Sequence, residues 1–299
     1  MHNTRSNEIN MSEGTELAHT VLAIMNAKAT KNGDGVYYPR TSGISRCPRD
    51  MVMHRFGEPW SNPPEDLHGQ QLRFDQGHDT EDRVLAALRE ANIGVGCEQM
   101  TVVAETAMGL KVTGHIDGIV CIPEEYALGG KWYLLDVKSA GTNVYKKVYD
   151  EEFSKPKQEH IMQISIYAES FVNDKKFPHL KGVKVSDIEF EGYEFGGGLV
   201  AYMSIDRVTK GRGANKVELP KLHFCEFDVD PMDVEVYLDA FDEPEIHYEN
   251  KTIPPIPYKN DAVVWNGARC TPRWCARFDV CQGNVDPESK ELMEVMHGV

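Results

Sequence analysis

Apolar positions along this chain follow two periods, and the period changes at definite places. Residues 76–91, QGHDTEDRVLAALREA, place apolar side chains at helical spacing, which predicts a helix with that stripe turned inward. Glu81 lies four and seven residues before Leu85 and Leu88, so a carboxylate occupies the face that points at the core. From Gln99 to Ser139 the pattern alternates and predicts three strands, with a turn at PEEYALGGK. One strand-like run, LKVTGHIDGIVCI over Leu110–Ile122, carries Asp117 beside glycines that permit close backbone approach. In the next, KWYLLDVKS over Lys131–Ser139, Trp132, Leu134, Asp136 and Lys138 share one face, and Tyr133, Leu135 and Val137 the other.

The helical period returns in PKQEHIMQISIYAESFV, after a lysine-bearing stretch over 141–157 that reads as mobile. Gln163 and Tyr167 stand one turn apart on one face, and Ile164, Ala168 and Phe171 form the adjacent apolar stripe. Two further strands, LVAYMSIDRV and KLHFCEFDV, are joined through Gly211 and Gly213, and a helix is predicted over 231–242. Upstream, residues 1–11 read as disordered and 12–30 as a helix ending in KNGDG. Cys47 directly precedes Pro48, a residue suited to the first helical position, where the positive helix end favours thiolate. The expected division is a disordered 1–11, an N-terminal helical segment 12–73, a core 74–245, and a C-terminal cysteine-bearing segment 246–299.

Composition narrows the function classes. The 299 residues carry 32 basic and 47 acidic side chains, a net charge of −15, which argues against a general nucleic-acid coating protein. Basic residues still cluster at Lys146/Lys147, Lys155/Lys157, Lys175/Lys176, Lys181/Lys184, Arg207 to Lys216 and Arg269 to Arg277 as candidate phosphate contacts. No apolar run approaches the roughly 20 residues that span a bilayer, and the N-terminus is polar. The expectation is a soluble, cytoplasmic protein without a membrane partner. Seven cysteines in that reducing setting do not read as a disulfide framework.

An acid on one strand followed by acid-x-lysine on the next is an arrangement that holds a hard divalent cation beside a base. The order of the pieces adds to this. GHDTE (Gly77 to Glu81), GHIDG (Gly114 to Gly118), LLDVKS (Leu134 to Ser139) and QISIY (Gln163 to Tyr167) together resemble the PD-(D/E)XK nuclease superfamily, in its RecB-like and Cas4-like exonuclease branch. The resemblance implies an α/β restriction-endonuclease-like core, with a mixed central sheet flanked by helices. It implies Mg²⁺ or Mn²⁺ held by Glu81, Asp117, Asp136 and the Val137 carbonyl. Lys138, its pKa depressed by the cation and by partial burial, would orient or deprotonate the attacking water. Gln163 and Tyr167 would position Lys138 or the substrate backbone, and His78 would be an accessory near Glu81.

The cysteines form a second constellation. Cys47 far upstream, with Cys270, Cys275 and Cys281 in RCTPRWCARFDVCQG, resembles the iron–sulfur clasp of the same nucleases, four thiolates around a [4Fe–4S] cluster. It implies a small lobe made of both chain ends, contacting DNA through Arg46, Arg49, Arg269, Arg273 and Arg277. Four residues separate Cys270 from Cys275 where the family usually has two, so Cys225 or Cys97 stand as substitutes. Four thiolates would also suit structural Zn²⁺. Cys97, Cys121 and Cys225 otherwise read as ordinary core residues.

The implied function is metal-dependent cleavage of DNA, exonucleolytic on single-stranded or end-containing molecules, in recombination, repair or phage DNA processing, in the host cytoplasm if phage-encoded. No GxxxxGK[ST] motif is present, so an unwinding or recombination partner would be a separate protein. The competing readings are a structure-directed endonuclease and a catalytically silent DNA-binding or assembly module on the same fold.

Overall fold

The structure, a computed structural model, describes residues 39–58, 67–149, 155–172, 193–211, 215–255, 275 and 277–282, with Val21. In chain order a 3-10 turn at Thr41–Gly43 leads to helices α1 (Pro48–Arg55) and α2 (Leu67–Glu90). Strands β1 (Gly94–Gly96), β2 (Met100–Glu105), β3 (Lys111–Ile116), β4 (Gly118–Ile122) and β5 (Lys131–Ala140) follow. Helices α3 (Thr142–Val148) and α4 (Gln158–Val172) come next, then strands β6 (Glu194–Ser204), β7 (Thr209–Lys210), β8 (Val217–Glu218) and β9 (Leu222–Phe227). Helices α5 (Pro231–Glu249) and α6 (Phe278–Gln282) complete the order. The disordered stretch expected over 1–11, most of the helix over 12–30, Cys270, Arg269, Arg273, Gly213 and the lysines at 175–184 lie outside the described residues.

The alternation in β5 decides the layering. β5 is the middle strand of a five-stranded sheet ordered β1-β4-β5-β6-β9. It runs antiparallel to β4 and parallel to β6, with Asp136 opposite Val200 and Lys138 opposite Tyr202. A parallel pair needs a long crossover, and the chain that makes it contains α3 and α4. Tyr133, Leu135 and Val137 pack with Val84, Leu85 and Leu88 of α2. Leu134, on the other face, packs with Ile164, Tyr167 and Ala168 of α4, together with Val200 and Tyr202. The result is a mixed sheet flanked by helices, as expected for a restriction-endonuclease-like core.

Three local expectations change. Leu110–Ile122 is two strands, because β3 pairs with β2 in a separate two-stranded sheet while β4 joins the central sheet. Asp117 is the residue at which the chain passes from one sheet to the other. The stretch taken as mobile contains α3, a short helix whose Tyr145 and Val148 are buried, with Lys146 and Lys147 outward. Helix α5 runs on past 242 to Glu249, through Pro244, from a start where Asp230 caps the Met232 N–H at 2.9 Å and Pro231 follows.

Residues 39–58 meet α5 and residues 277–282 beside this core. Met51 of α1 is buried with Ile44, Val234, Tyr237, Leu238 and Phe241. Arg55 reaches Glu245 of α5 at 2.8 Å and lies over the Tyr248 ring. Arg277, 3% exposed, donates to the Glu58 carbonyl and to Asp50 Oδ1, both at 2.9 Å. Asp50 Oδ2 accepts from Arg46 at 2.6 Å, and Arg49 donates to the Pro254 carbonyl at 2.6 Å. Arg277 is thus spent on internal contacts and does not face solvent, while Arg46 and Arg49 each make an internal contact and stay partly exposed. Among the described residues, no helix is long and apolar enough to cross a membrane.

Candidate active site

Four of the expected groups gather where the sheets part. Asp117 sits between β3 and β4, and its Oδ2 accepts the Val137 N–H at 2.6 Å, so the β5 backbone fixes this acid. Asp136 is 1% exposed; its Oδ1 takes the Lys138 ammonium at 2.6 Å, and its Oδ2 has no hydrogen-bond partner among the described residues. Glu81 is buried on α2, where helical spacing turns it inward, and accepts from the Gln99 side-chain amide. His78 Nδ1 stands 3.8 Å from Glu81 on a side chain that is 75% exposed.

On the α4 side, Gln163 donates to the Tyr167 hydroxyl at 2.6 Å, and Thr41 donates to the same oxygen at 3.1 Å. Gly114 makes room for this pair, since a Cβ there would collide with Thr41 and with the Tyr167 ring.

The electrostatics tie these groups into one unit. Burial, then the charges of Asp136 and Glu81, push the Asp117 carboxyl up to about 7, against the pull of Lys138 and the Val137 N–H. Burial also raises Asp136, and Lys138 only partly offsets it. For Lys138, burial opposes the ammonium, but Asp136 and Asp117 outweigh it and the pKa is raised. The depression expected from partial burial is therefore not what the protein's own groups produce; adjacent carboxylates win. Burial and the Asp136 charge push the Tyr167 hydroxyl up to about 12.

These observations test whether a hard divalent cation suits the residues. An acceptor oxygen buried without a donor is costly, and Asp136 Oδ2 is one. Like charges crowded at Asp117 are relieved by positive charge. The donors are carboxylate oxygens, the kind Mg²⁺ and Mn²⁺ prefer. By chemistry the set fits, with Asp117 and Asp136 its centre. Among the described residues, however, no three His, Cys, Asp or Glu side chains stand close enough to make a ready-formed metal cage.

The cysteines are brought together only in part. Cys47 caps α1 as expected, and Cys281 lies near enough for its charge to act on Cys47. Arg49 Nε donates to Cys281 Sγ at 3.1 Å. Burial pushes the Cys47 thiol up to about 12 despite the Asp50 and Arg49 backbone N–H groups at the helix start. Desolvation thus overrides the helix-end effect that had favoured thiolate. Cys275 is half-buried, and Cys97, Cys121 and Cys225 are buried among core residues of the sheet.

Two neighbours of the site were not foreseen. Gln99 buttresses Glu81, and Thr41 buttresses Tyr167. Thr41 is brought there by the 3-10 turn and has no periodic signal of its own. For Gln99 the sequence offers only a polar residue before a strand.

The fold and site define a mixed-sheet α/β protein with a buried acidic centre and one lysine at the point where two sheets diverge. No family model matches the chain, and no curated protein does. Among solved structures it is similar to SSO0001, at 14% identity and a TM-score of 0.41, over 90% of this chain and 98% of that one. It is also similar to an alkaline exonuclease, LHK-Exo from Laribacter hongkongensis, at 14% identity and a TM-score of 0.38, over 71% of this chain and 90% of that one. At these values neither likeness speaks to activity, and the functional reading rests on the side chains themselves.

Proposed function

We propose that this chain is a metal-dependent DNA nuclease that hydrolyses phosphodiester bonds at Glu81, Asp117, Asp136 and Lys138. The observation that carries the reading is Asp136: a carboxylate 1% exposed, with one oxygen on Lys138 and the other without a hydrogen-bond partner among the described residues, beside a second acid pushed up to about 7. Asp117, Asp136 and the Val137 carbonyl would hold Mg²⁺ or Mn²⁺, with Glu81 in reach of a second cation. When bound, such a cation withdraws charge from the phosphoryl oxygens and makes water a better nucleophile at neutral pH.

The protein's own groups do the rest. Val137 fixes Asp117 through its N–H, and Gln99 fixes Glu81. Lys138, tethered to Asp136, would hold the attacking water or an anionic phosphoryl oxygen. Tyr167, gripped by Gln163 and Thr41, stands near enough for its hydroxyl to respond to Asp136 and Lys138, and keeps that side of the site rigid. Exonucleolytic action on single-stranded or end-containing DNA, in recombination, repair or phage DNA processing, is part of the proposal on the sequence resemblance alone.

The test is digestion of end-labelled linear, circular and single-stranded DNA with Mg²⁺ or Mn²⁺, by wild type, Asp136→Ala and Lys138→Ala. Cleavage by wild type alone, on linear but not circular DNA, is the expected result. Cleavage that survives both substitutions contradicts the assigned site.

For the thiols we propose a [4Fe–4S] cluster on Cys47, Cys270, Cys275 and Cys281, with Zn²⁺ as the alternative. The hydrogen bond to Cys281 from Arg49, two residues after Cys47, supports it by bringing residue 281 to the start of α1. Anaerobically purified protein is expected to show an absorption band near 400 nm from such a cluster; colourless protein with stoichiometric zinc favours the alternative.

A further inference from the structure

Beside the proposed centre lies a cleft of about 180 Å³ that no assigned residue uses. Its walls are Gln76, Asp79, Thr80 and Arg83 of α2, the end of β6 at Met203 and Ser204 with Ile205 beyond, and Lys221 just before β9. Gln76, Asp79, Thr80 and Arg83 recur at three- and four-residue steps, so they share one face of α2, adjacent to the face that carries Glu81. Met203 is paired with Ser139, the residue after Lys138. The cleft therefore shares α2 with Glu81 and lies at the ends of β5 and β6 on the α2 side of the sheet, while Asp136 and Lys138 project from the other face.

Two cations meet in it, as they do in the cleft of Arg207 and Lys216, but there Arg207 is paired with Glu218. In a chain of net charge −15, two exposed cations, Arg83 and Lys221, line one small cleft. Neither side chain is hydrogen-bonded or ion-paired to a described residue, although Asp79 stands one helical turn from Arg83. The hydroxyls nearby are already engaged: Thr80 donates to the Gln76 carbonyl and Ser204 to the Asp206 carbonyl. Two unpaired cations thus face the cleft with one carboxylate beside them, and Met203 and Ile205 give it an apolar wall.

We propose that this cleft is a subsite for a backbone phosphate of single-stranded DNA flanking the scissile one, held by Arg83 and Lys221, with the sugar against Met203 and Ile205. Arg83 presents a planar fork and Lys221 a point charge, a combination suited to phosphate. The subsite rests on the nuclease reading for its substrate class. It supplies positive charge where the catalytic carboxylates would repel the incoming strand, and it fixes how far the strand extends past the reacting phosphate. Asp79 sets a limit on affinity, so the site steers and registers the strand and does not anchor it alone.

The test uses the full chain carrying Asp136→Asn, so that DNA survives, with and without Arg83→Gln and Lys221→Gln together. Binding of a labelled single-stranded oligonucleotide is followed by anisotropy across a salt series with Mg²⁺ present. Loss of both cations is expected to weaken binding about tenfold at low salt and to flatten the slope of log K against log [salt] by about one. Oligonucleotides with a single uncharged methylphosphonate linkage, scanned along the strand, are expected to show one linkage whose neutralisation weakens the parent but not the double variant. Unchanged affinity and slope, or equal losses in both proteins at every linkage, overturn the subsite.

Cleavage by the otherwise wild-type chain is measured in parallel and keeps the two readings apart. No cleavage, but cation-dependent binding, removes the nuclease and leaves the subsite; cleavage with cation-independent binding does the reverse. Because both side chains are exposed and make no hydrogen bond or ion pair with a described residue, an unchanged unfolding midpoint is the expected control, and Arg83→Lys restores most of the slope.

Discussion

Asp50 and Asp136 are both withdrawn from water, with side chains 16% and 1% exposed, yet the protein treats them in opposite ways. Asp50 has a guanidinium on each oxygen, Arg46 on one and Arg277 on the other. Burial alone would raise it, but these two cations together hold its carboxyl below the usual range. Asp136 has one ammonium, one oxygen with no partner among the described residues and a second acid nearby, and it is raised. A satisfied buried charge ties parts of a fold together; an unsatisfied one costs stability and is retained where something else must bind. The Asp50 cluster with Arg46 and Arg277 is thus a structural clasp, and the end of β5 is a site held in an unfavourable state.

The largest expected effect breaks the satisfied side. Arg277→Ala removes a buried guanidinium, leaves the Glu58 carbonyl and one Asp50 oxygen without it, and is expected to lower unfolding stability by about 3–5 kcal/mol in urea titration. A loss under about 1 kcal/mol would mean that α1 and residues 277–282 are held together by something else. Asp136→Asn should do the opposite. Stability stays within about 1 kcal/mol of wild type or rises, because a buried charge is replaced by an amide of the same shape.

Gly114→Ala probes the packing between these regions. The new Cβ drives into Thr41 and the Tyr167 ring, so a loss of about 1–3 kcal/mol is expected. The reference Tyr167→Phe keeps the ring and removes only the hydroxyl that Gln163 and Thr41 grip; it is expected to cost less, about 1 kcal/mol.

The smallest effect is in acid. Since the Asp50 pKa is lowered in the folded chain, its contribution is fully present above the ordinary value of 3.8 and is lost as pH falls through the lower folded value. The stability advantage of wild type over Asp50→Asn should therefore be constant near neutrality and shrink only below about pH 4. A difference that shrinks between pH 8 and 5 contradicts the two-guanidinium account.

The same contrast explains what could be read from the sequence. β5 was legible because a strand buried on both faces reads as an apolar run, here Trp132 to Val137, that Asp136 and then Lys138 interrupt on one face. Glu81 was legible because a carboxylate on an apolar helical face is anomalous in itself. The break at Asp117 was hidden: whether a run of alternating residues is one strand or two depends on which strands pair with each half, and those partners lie elsewhere in the chain. Thr41 and Gln99 were hidden for the same reason, as contacts made by tertiary approach. An iron–sulfur clasp on Cys47, Cys270, Cys275 and Cys281 was expected here, and the contacts the described residues show are those of Asp50 with Arg46 and Arg277. Those arginines were assigned to DNA because sequence shows a positive charge but not the buried acid that neutralises it.

The central claim is that Asp136 is left unsatisfied so that a divalent cation can be held, and its most direct test is thermal unfolding with and without Mn²⁺. Wild type is expected to gain stability as Mn²⁺ rises, by about 2.7 kcal/mol at a hundredfold excess over its dissociation constant, while Asp136→Asn gains little. An equal gain in both proteins, or none in wild type, contradicts the claim.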